Sequence, residues 1–390
     1  MQPIEICDKQ LCTGCAACFN VCPKRAISME FDEEGFLYPV INGEICIDCK
    51  LCQKTCPINN IKQDNPMQPI SVYAGYVNDI KIRKKSASGG AFPVFAQYFY
   101  SLKDGMVAAA MFDEHLKLCH TLSYEKDDLT KFQGSKYVQS EIGTLYEDIF
   151  KQLRKGSQIL FVGTPCQVAG LKSYLRKDYD NLLTIDLVCH GVPSPKLFQS
   201  YLKQVGVSSK QKYRDFFFRK YGDSEYFHHS LLNRFGLLKQ ISPTKHSYIC
   251  AYLKGWLHRE SCYRCPFAAI PRQGDCTIAD FWGVLSGKVA FSGDRTKGVS
   301  MIMINNQKGK EIFEYIKQFF YLEEKTLEDA KVDNHNLYIH DNRPEIRNYI
   351  YKELISMDPK KFMNKYQLRL PMPTPLCNRI FSRIKRIISK

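Results

Sequence analysis

The sequence predicts a small cysteine-rich α+β module followed by a larger α/β domain with a mainly parallel or mixed sheet. Three observations support this fold class. Nine of the 17 cysteines lie before residue 57, in two runs with the same internal spacing. A polar stretch over 61–70 contains prolines and has no hydrophobic periodicity, as is typical of a linker. After it, strand-like and helix-like segments alternate, which is the pattern of an α/β layer.

The chain has 390 residues, which is more than one ordinary core holds. We therefore expect a cysteine-rich domain over 1–60, the linker over 61–70, a main domain over 71–345 and a basic tail over 346–390. The candidate strands of the main domain cover 72–77, 106–112, 158–163, 182–189 and 299–305. Its candidate helices cover 90–102, 142–155, 165–177, 195–205 and 307–320.

The two cysteine runs share the template C-x2-C-x2-C-x3-C-P. This is the bacterial ferredoxin spacing, in which the fourth cysteine of each run binds the cluster of the other run. Three cysteines at this spacing wrap a turning loop around one iron–sulfur cube, and the next helical turn carries the fourth across. We therefore predict a ferredoxin-like module with two [4Fe–4S] clusters. The expected ligands are Cys12, Cys15, Cys18 and Cys56 for one cluster, and Cys46, Cys49, Cys52 and Cys22 for the other.

Two other interpretations of these cysteines are a structural zinc protein and thiols buried as small apolar side chains. Zinc sites normally use two cysteine pairs that are a dozen or more residues apart, whereas each run here has four cysteines close together. A disulfide scaffold is expected in short secreted chains, and no secretory signal is recognisable at the beginning of this sequence. The duplicated spacing therefore favours iron–sulfur clusters.

The formal net charge is +15, and three thiolate-bound clusters of about −2 each would still leave a basic protein. Such a charge suits an acidic redox partner protein, an anionic cofactor or a membrane surface. The basic residues are dispersed without a recognition motif, so we do not expect nucleic acid as a partner. No run approaches the roughly 20 apolar residues that cross a bilayer, and we expect a cytoplasmic protein.

Polar, glycine-rich segments lie at the predicted carboxyl ends of the strands, where α/β sheets bind ligands. The segment 83–90 contains lysines, serines and two glycines before a helix, which suits an anion, although a plain helix cap at Ser88 explains it equally well. The donor-rich segment 133–140 also precedes a helix and suits a phosphate-bearing ring cofactor.

Four further cysteines lie in turn-like settings. Cys166 lies near a helix N-terminus, where the helix dipole lowers the pKa of a thiol. Cys189 follows a predicted strand, and Cys262 and Cys265 form a C-x2-C pair. Spacing alone leaves open whether the four converge on a third cluster.

Taken together, six segments of the main domain resemble the coenzyme F420 hydrogenase/dehydrogenase beta-subunit family. The segments are SASGG (86–90), GSKYVQS (134–140), GTPCQVAGL (163–171), CHGVPSP (189–195), SCYRC (261–265) and DCTIADFWG (275–283). More narrowly, the chain looks like the bacterial members that carry an N-terminal 2[4Fe–4S] ferredoxin module and are often found in polysaccharide loci. One departure concerns 275–283, where the family more usually has an aliphatic residue in place of Cys276 and glycine in place of Ala279.

The resemblance implies a flavin, FAD or FMN, beside a third [4Fe–4S] cluster, and hydride exchange with F420 or another carrier such as a nicotinamide. By position, it implies that the third cluster is held by Cys166, Cys189, Cys262 and Cys265. The implied flavin contacts are Ser88, Gly89, Gly90, Ser135, Lys136, Tyr137, Gly163 and Thr164.

Two residues are candidates for catalytic roles. Lys136 would favour an anionic reduced flavin or a substrate phosphate, and the alternative is a solvated surface lysine. His190, next to an implied ligand, could relay a proton, and the alternative is a local hydrogen bond. The expected function is an iron–sulfur flavoprotein oxidoreductase that acts on a small molecule, with a ferredoxin or an oxidoreductase subunit as redox partner and with a role in polysaccharide biosynthesis. The alternative is a non-catalytic electron-transfer subunit that feeds a partner enzyme.

The end of the sequence, over 376–390, alternates isoleucines with basic residues at helical spacing. A basic amphipathic helix of this kind lies on an anionic membrane or docks on the protein body, and the sequence leaves both open. Four cysteines match no pattern and are expected to be buried or idle thiols: Cys7, Cys119, Cys250 and Cys377.

Overall fold

The structure, a computed structural model, describes residues 5–61, 68–208, 211–219, 229–233, 235, 238–242 and 245–369. The predicted amphipathic helix of the tail and Cys377 lie outside these residues. The strands are β1 (Ile27–Phe31), β2 (Leu37–Ile41), β3 (Ser71–Val77), β4 (Gly105–Phe112), β5 (Leu118–Ser123), β6 (Gln158–Gly163), β7 (Leu182–Leu187), β8 (Tyr213–Phe217), β9 (Ser230–Asn233), β10 (Leu238–Gln240), β11 (Cys276–Asp280), β12 (Ser300–Ile304) and β13 (Phe320–Lys325).

The helices alternate with these strands through most of the chain. They are α1 (Ala17–Val21), α2 (Leu51–Thr55), α3 (Ile80–Lys85), α4 (Ala91–Ser101), α5 (Leu129–Phe132), α6 (Leu145–Arg154), α7 (Pro165–Leu175), α8 (Pro195–Gln204), α9 (Ser247–Leu253), α10 (Trp282–Leu285), α11 (Gln307–Ile316), α12 (Leu327–Lys331), α13 (Arg347–Ser356) and α14 (Pro359–Lys365). All five predicted strands and all five predicted helices are present. None of these helices is long and apolar enough to cross a bilayer.

The N-terminal module repeats one backbone pattern in its two cysteine runs. Each run has a left-handed residue two positions after its first cysteine (Gly14, Asp48) and another before its short helix (Ala16, Lys50). Left-handed backbone costs about 1–2 kcal/mol for a residue with a Cβ, so its repetition indicates a conformation that both loops need. These bends turn consecutive cysteines of one run to the same side. Strands β1 and β2 form an antiparallel hairpin between the two runs.

The main domain is built on an eight-stranded sheet with the order β13-β3-β12-β11-β7-β6-β4-β5. The four central strands β11, β7, β6 and β4 are parallel neighbours, and the pairs outside them are antiparallel. The sheet is therefore mixed, which confirms the predicted fold class. The carboxyl ends of the parallel strands share one edge, where binding sites of open α/β sheets lie.

A smaller three-stranded sheet, with the order β10-β9-β8, was not predicted, nor were β5, β11 and β13. The C-terminal helices α13 and α14 pack into the apolar cluster that also contains α8 and α9. Ile350, Leu354 and Phe362 are almost completely buried there. The described part of the segment that we assign to the tail, 346–369, thus belongs to the core of the main domain.

The N-terminal module packs closely against the main domain. Helix α1 contacts α7, and Asn20 Nδ2 donates a hydrogen bond to Gly143 O at 2.8 Å. Gly170 of α7 lies against Cys15, since a Cβ at Gly170 would lie 3.1 Å from Cys15 Sγ. The Arg347 guanidinium makes a two-point ion pair with Glu34 at 2.6 and 2.5 Å. The two parts of the chain are thereby held in one arrangement.

We predict that Gly35→Ala lowers the free energy of unfolding by about 1–3 kcal/mol more than Gly156→Ala does. Both glycines have positive φ angles, 85° and 93°, so the backbone strain is matched. A Cβ at Gly35 would lie 2.1 Å from Lys196 Cβ of the main domain, whereas a Cβ at Gly156 meets nothing within 4 Å. Urea unfolding followed by circular dichroism compares the variants. Equal losses would contradict close packing of the module at Gly35.

Candidate functional site

Four cysteines from both runs line one small cavity inside the N-terminal module. They are Cys12, Cys15, Cys18 and Cys56, the set expected to hold one cluster. We call this space the inner cavity, because most of its cysteines are buried. The last cysteine of the second run reaches it because α2 ends at Thr55 and the backbone becomes extended at Cys56.

The other four cysteines, Cys22, Cys46, Cys49 and Cys52, line a second cavity, here the outer cavity. Cys22 crosses to it in the same way at the end of α1, where the backbone is again extended. Cys49 is exposed, in contrast to the buried cysteines of the inner cavity. The structure therefore brings together each of the two expected ligand sets, and it orders them from the surface inwards.

Cys7, which the sequence left without a role, also lines the inner cavity. Its thiol hydrogen-bonds to the Cys12 and Cys56 sulfurs, and these bonds raise the pKa of Cys7. The same bonds lower the pKa of Cys12 to about 6 and that of Cys56 to about 7. A fifth cysteine thus stabilises thiolates in the inner set. It lies outside the repeated template, so spacing gave no signal for it.

The four cysteines of the expected third set line a third cavity at the edge of the main sheet. They are Cys166, Cys189, Cys262 and Cys265. Cys166 lies in the first turn of α7, after a junction where Thr164 N donates to Gln167 Oε1 at 3.0 Å. Cys189 follows β7, and Gly191 N donates to its sulfur at 3.4 Å. Cys262 and Cys265 come from a 3₁₀ turn over 260–264 and the residue after it.

Burial raises the pKa of Cys189 to about 12 and that of Cys265 to about 11. These thiols therefore need a nearby cation to become thiolates, which a bound metal provides. Within the described part of the chain, no three His, Cys, Asp or Glu side chains lie close enough to hold one metal ion.

The cavities are neighbours of one another. Thr13, next to Cys12, lines the inner cavity, the third cavity and a much larger one. Cys166 lines both the third and the large cavity. The outer cavity adjoins the inner one, since Cys22 and Cys52 pack against the apolar cluster that contains Cys18 and Cys56. The four cavities therefore form a continuous set that extends from the exposed Cys49 to the large cavity.

The large cavity has a volume of about 310 Å³ and lies at the carboxyl ends of β4, β6, β7 and β11. Its lining includes most of the expected flavin contacts: Ser88, Gly90, Ser135, Lys136, Tyr137, Gly163 and Thr164. Gly89 is not among the lining residues. A Cβ there would lie 2.4 Å from Gly75 O and 2.6 Å from Ser300 N, so Gly89 serves the close packing of β3 and β12.

The N-terminus of α4 forms one wall of the large cavity. Its cap residue is Gly90, with φ 91°, and no side chain caps the first turn. Ser88 is not the helix cap, since its hydroxyl donates to Val299 O at 3.3 Å. The uncapped backbone amides and the positive end of the helix dipole favour an anion such as a phosphate.

The ammonium of Lys136 contacts carbonyls of its own loop. Its Nζ donates to Phe132 O at 3.1 Å, to Gln133 O at 2.8 Å and to Gly134 O at 3.4 Å. An ammonium has three donors, and all three are used. Burial lowers the pKa of Lys136 to about 8, although Asp215 opposes the shift. The ammonium thus holds the end of α5, and Lys136 also lines the large cavity, where the role suggested by the sequence would be exercised.

His190 lines both the large and the third cavity, and burial lowers its pKa, which favours the neutral imidazole. Its ring lies 6.1 Å from that of His335 between centroids. This position of His190 is compatible with either role considered from the sequence, a proton relay or a local hydrogen bond.

Several polar residues of the large cavity were missed by the sequence analysis. The Arg219 guanidinium pairs with Asp280 at 2.8 and 3.1 Å. The buried His120 bonds to Ser140 Oγ at 2.8 Å, and burial lowers its pKa to about 4. Asn334 is 1% exposed, and both polar atoms of its side-chain amide lack a hydrogen-bond partner among the described residues. Of these residues, Ser140 and Asp280 lay in segments singled out by sequence, 133–140 and 275–283.

Two family models match this chain. The model for the C terminus of the coenzyme F420 hydrogenase/dehydrogenase beta subunit matches residues 156–330, and the model for a 4Fe-4S dicluster domain matches residues 11–60. An uncharacterized ferredoxin of Methanocaldococcus jannaschii is 41% identical over 56 residues, which are 14% of this chain and 71% of that one. A subunit of the F(420)H(2) dehydrogenase of Methanosarcina mazei is 22% identical over 214 residues, 51% of this chain and 60% of that one.

Among solved structures, a chain of the F420-reducing [NiFe] hydrogenase complex from Methanosarcina barkeri aligns with a TM-score of 0.44 at 15% identity, over 78% of this chain and 94% of that one. The chain spans 60% of the Methanosarcina mazei protein and as little as 13% of the length of a larger relative. The dicluster match over 11–60 and the beta-subunit match over 156–330 agree with the resemblance carried by the sequence motifs. The chain combines a ferredoxin-type 4Fe–4S dicluster domain with a domain related to the C terminus of the coenzyme F420 hydrogenase/dehydrogenase beta subunit.

Proposed function

We propose that this protein is an iron–sulfur flavoprotein oxidoreductase that moves electrons between a redox partner protein and hydride chemistry in the large cavity. Electrons enter or leave at the outer cavity and pass through the inner and third cysteine sets. A hydride carrier, F420 or a nicotinamide, or a small substrate exchanges hydride at the other end. The order of the four neighbouring cavities carries this proposal, because it provides a continuous route from an exposed cysteine to a ligand-sized space.

The third cysteine set supports a further [4Fe–4S] cluster. Four thiols around one space are a donor set that suits an iron–sulfur cluster. The loop after Cys265 is held to the end of β7 by Arg272, whose Nη2 lies 3.2 Å from Asp186 Oδ2. Both side chains are almost completely buried, so this pair fixes the C-x2-C turn relative to Cys189.

The large cavity supports a flavin. Its volume of about 310 Å³ is at the lower end of the usual range for small-molecule sites. The uncapped α4 terminus suits a phosphate, and the unpartnered Asn334 amide offers a donor and an acceptor to a ring with a matching edge. A bound flavin supplies the exchange between hydride and single electrons.

The residues of this chain position the reactants and exclude water. His120 is neutral at physiological pH because its pKa is about 4, so it contributes hydrogen bonds rather than charge to the cavity wall. Arg219 and Asp280 neutralise each other across the cavity wall. Asn334 and Thr13 have buried polar atoms that find no partner among the described residues and can bind a ligand.

The outer cavity is the proposed contact for the redox partner. Ile45 and Ile47, which flank Cys46, are 47% and 57% exposed. Apolar side chains around an exposed cluster ligand suit transient docking of an electron carrier protein. The same surface serves the alternative, a non-catalytic subunit that feeds a partner enzyme. Hydride transfer without any added protein distinguishes the oxidoreductase from this alternative. The role in polysaccharide biosynthesis expected from the resemblance belongs to the oxidoreductase proposal and not to the alternative.

We predict that protein purified without oxygen holds about twelve irons per chain and that Cys189→Ala holds about eight. The alanine removes one of the four sulfurs of the third set and leaves the dicluster module intact. Cys250→Ala is the matched control, because Cys250 lies in an apolar core and lines none of the three cysteine cavities. Iron, sulfide and zinc analysis measures the result. About eight irons in the unmodified protein would contradict a third cluster.

We predict that Ser88→Asp weakens flavin binding at least tenfold, whereas Ser88→Asn changes it little. The two side chains have nearly the same size, but only aspartate places a negative charge beside the proposed phosphate position at the start of α4. Flavin fluorescence titration measures the affinity, and iron content controls for folding. Equal affinities of the two variants would place the flavin phosphate elsewhere.

A further inference from the structure

Arg259 brings a positive charge into the contact between the dicluster module and the main domain. The residue is 0% exposed and lies three positions before Cys262. Its backbone is fixed on the main-domain side, because Arg259 N donates to Val192 O and Cys262 N donates to Arg259 O, both at 2.9 Å. Its side chain points the other way, into the N-terminal module.

The guanidinium of Arg259 hydrogen-bonds to the backbone and the sulfur of Cys12. Its Nε donates to Cys12 O at 2.7 Å, and Nη2 donates to Leu37 O at 3.0 Å and to Cys12 Sγ at 3.8 Å. Nη1 donates to Gln139 Oε1 at 3.1 Å. The group also lies over the Tyr38 ring, 3.9 Å from its centroid. Every polar partner of this side chain is thus a neutral oxygen or the sulfur of an inner-cavity cysteine.

No carboxylate pairs with Arg259 among the residues that the structure describes. Other buried arginines of the main domain have one, as Arg347 has Glu34, Arg272 has Asp186 and Arg219 has Asp280. A charge that is buried without a counter-charge costs several kcal/mol. The cost falls if the neighbouring sulfurs carry negative charge, as they do when they bind a cluster.

We propose that Arg259 is the counter-charge of the cluster held by Cys12, Cys15, Cys18 and Cys56, and that it raises the reduction potential of this cluster. The inference rests on the proposed function in one respect, the binding of a cluster by these cysteines. Reduction adds one electron from the redox partner, and therefore one negative charge, to the cluster. A fixed positive charge and an N–H···S bond at Cys12 stabilise the reduced form.

This charge acts more strongly than the lysines near the outer cavity. Lys24 and Lys50 line that cavity but are exposed, and water and salt screen their charges. Arg259 is enclosed by protein, where the effective dielectric constant is lower. It therefore draws the electron inwards from the outer to the inner cluster, towards the segment that carries Cys262.

The test compares the full-length protein with Arg259→Gln, Arg259→Lys and Arg347→Gln. Each protein is purified without oxygen, its iron is counted, and its clusters are titrated with dithionite while electron paramagnetic resonance follows their reduction. Arg347→Gln is the matched control, because it also removes a buried arginine from the contact with the module, but one that is already neutralised by Glu34.

We expect one cluster of Arg259→Gln to be reduced at a more negative potential, with iron content unchanged. Arg259→Lys keeps the charge but not all the contacts, and it should shift the same cluster by less. Arg347→Gln should leave the reduction potential of that cluster unchanged. If Arg259→Gln does not fold, the lysine variant provides the test. It loses part of the hydrogen bonding at Cys12, and this loss alone predicts a more negative reduction potential of the cluster.

Two results would overturn the inference. One is a full set of clusters whose potentials are the same in the Arg259 variants as in the unmodified protein. The other is an equal shift in Arg347→Gln, which would make the effect one of loosened packing. Unmodified protein without iron would instead contradict the proposed function, so the two failures are distinguishable.

Discussion

The rest of the molecule depends on the close contact between Cys15 and helix α7. Gly170 allows this contact, since any larger residue would push against the Cys15 side chain. Cys166 lies four residues earlier on the same helix, and residues at this spacing share one face, about one helical turn of 5.4 Å apart. A single rigid helix thus sets how far the inner cysteine set lies from the third set. The proposed electron transfer between them requires such a fixed, short separation.

The buried arginines show two different uses of charge. Arg347 and Arg272 each pair with a carboxylate, which neutralises the charge of the arginine. Arg347 thereby holds the module and Arg272 holds a loop. Arg259 bonds only to neutral groups and to a cysteine sulfur, so its charge remains available to act on whatever the sulfurs bind. Two neighbouring residues take part in the two arrangements. His258 O accepts a hydrogen bond from Arg347 Nε, which belongs to the neutralised pair, whereas Arg259 provides the charge without a carboxylate.

The sequence predicted the structure well where the chemistry of a cluster prescribes the spacing of its ligands. The crossed grouping of the eight N-terminal cysteines follows from their template, and the central strands were recognisable as apolar runs between turns. The missed strands have a different character. Strand β13, FYLEEK, is a half-polar edge strand, and β11 has only five residues, so neither shows a clear apolar run. The contacts of Lys136 were not predictable, because a sequence does not show whether an ammonium faces a ligand or the carbonyls of its own loop.

The segment 333–341 is the clearest case of a site element that periodicity cannot reveal. It is largely irregular, yet Asn334 lines the large cavity while Asn336 and His340 line the third. Together with Thr13 and Cys166, this segment encloses both spaces. The same few residues therefore shape the large cavity and the adjacent third cysteine set, and contacts between positions more than 140 residues apart along the chain bring them together.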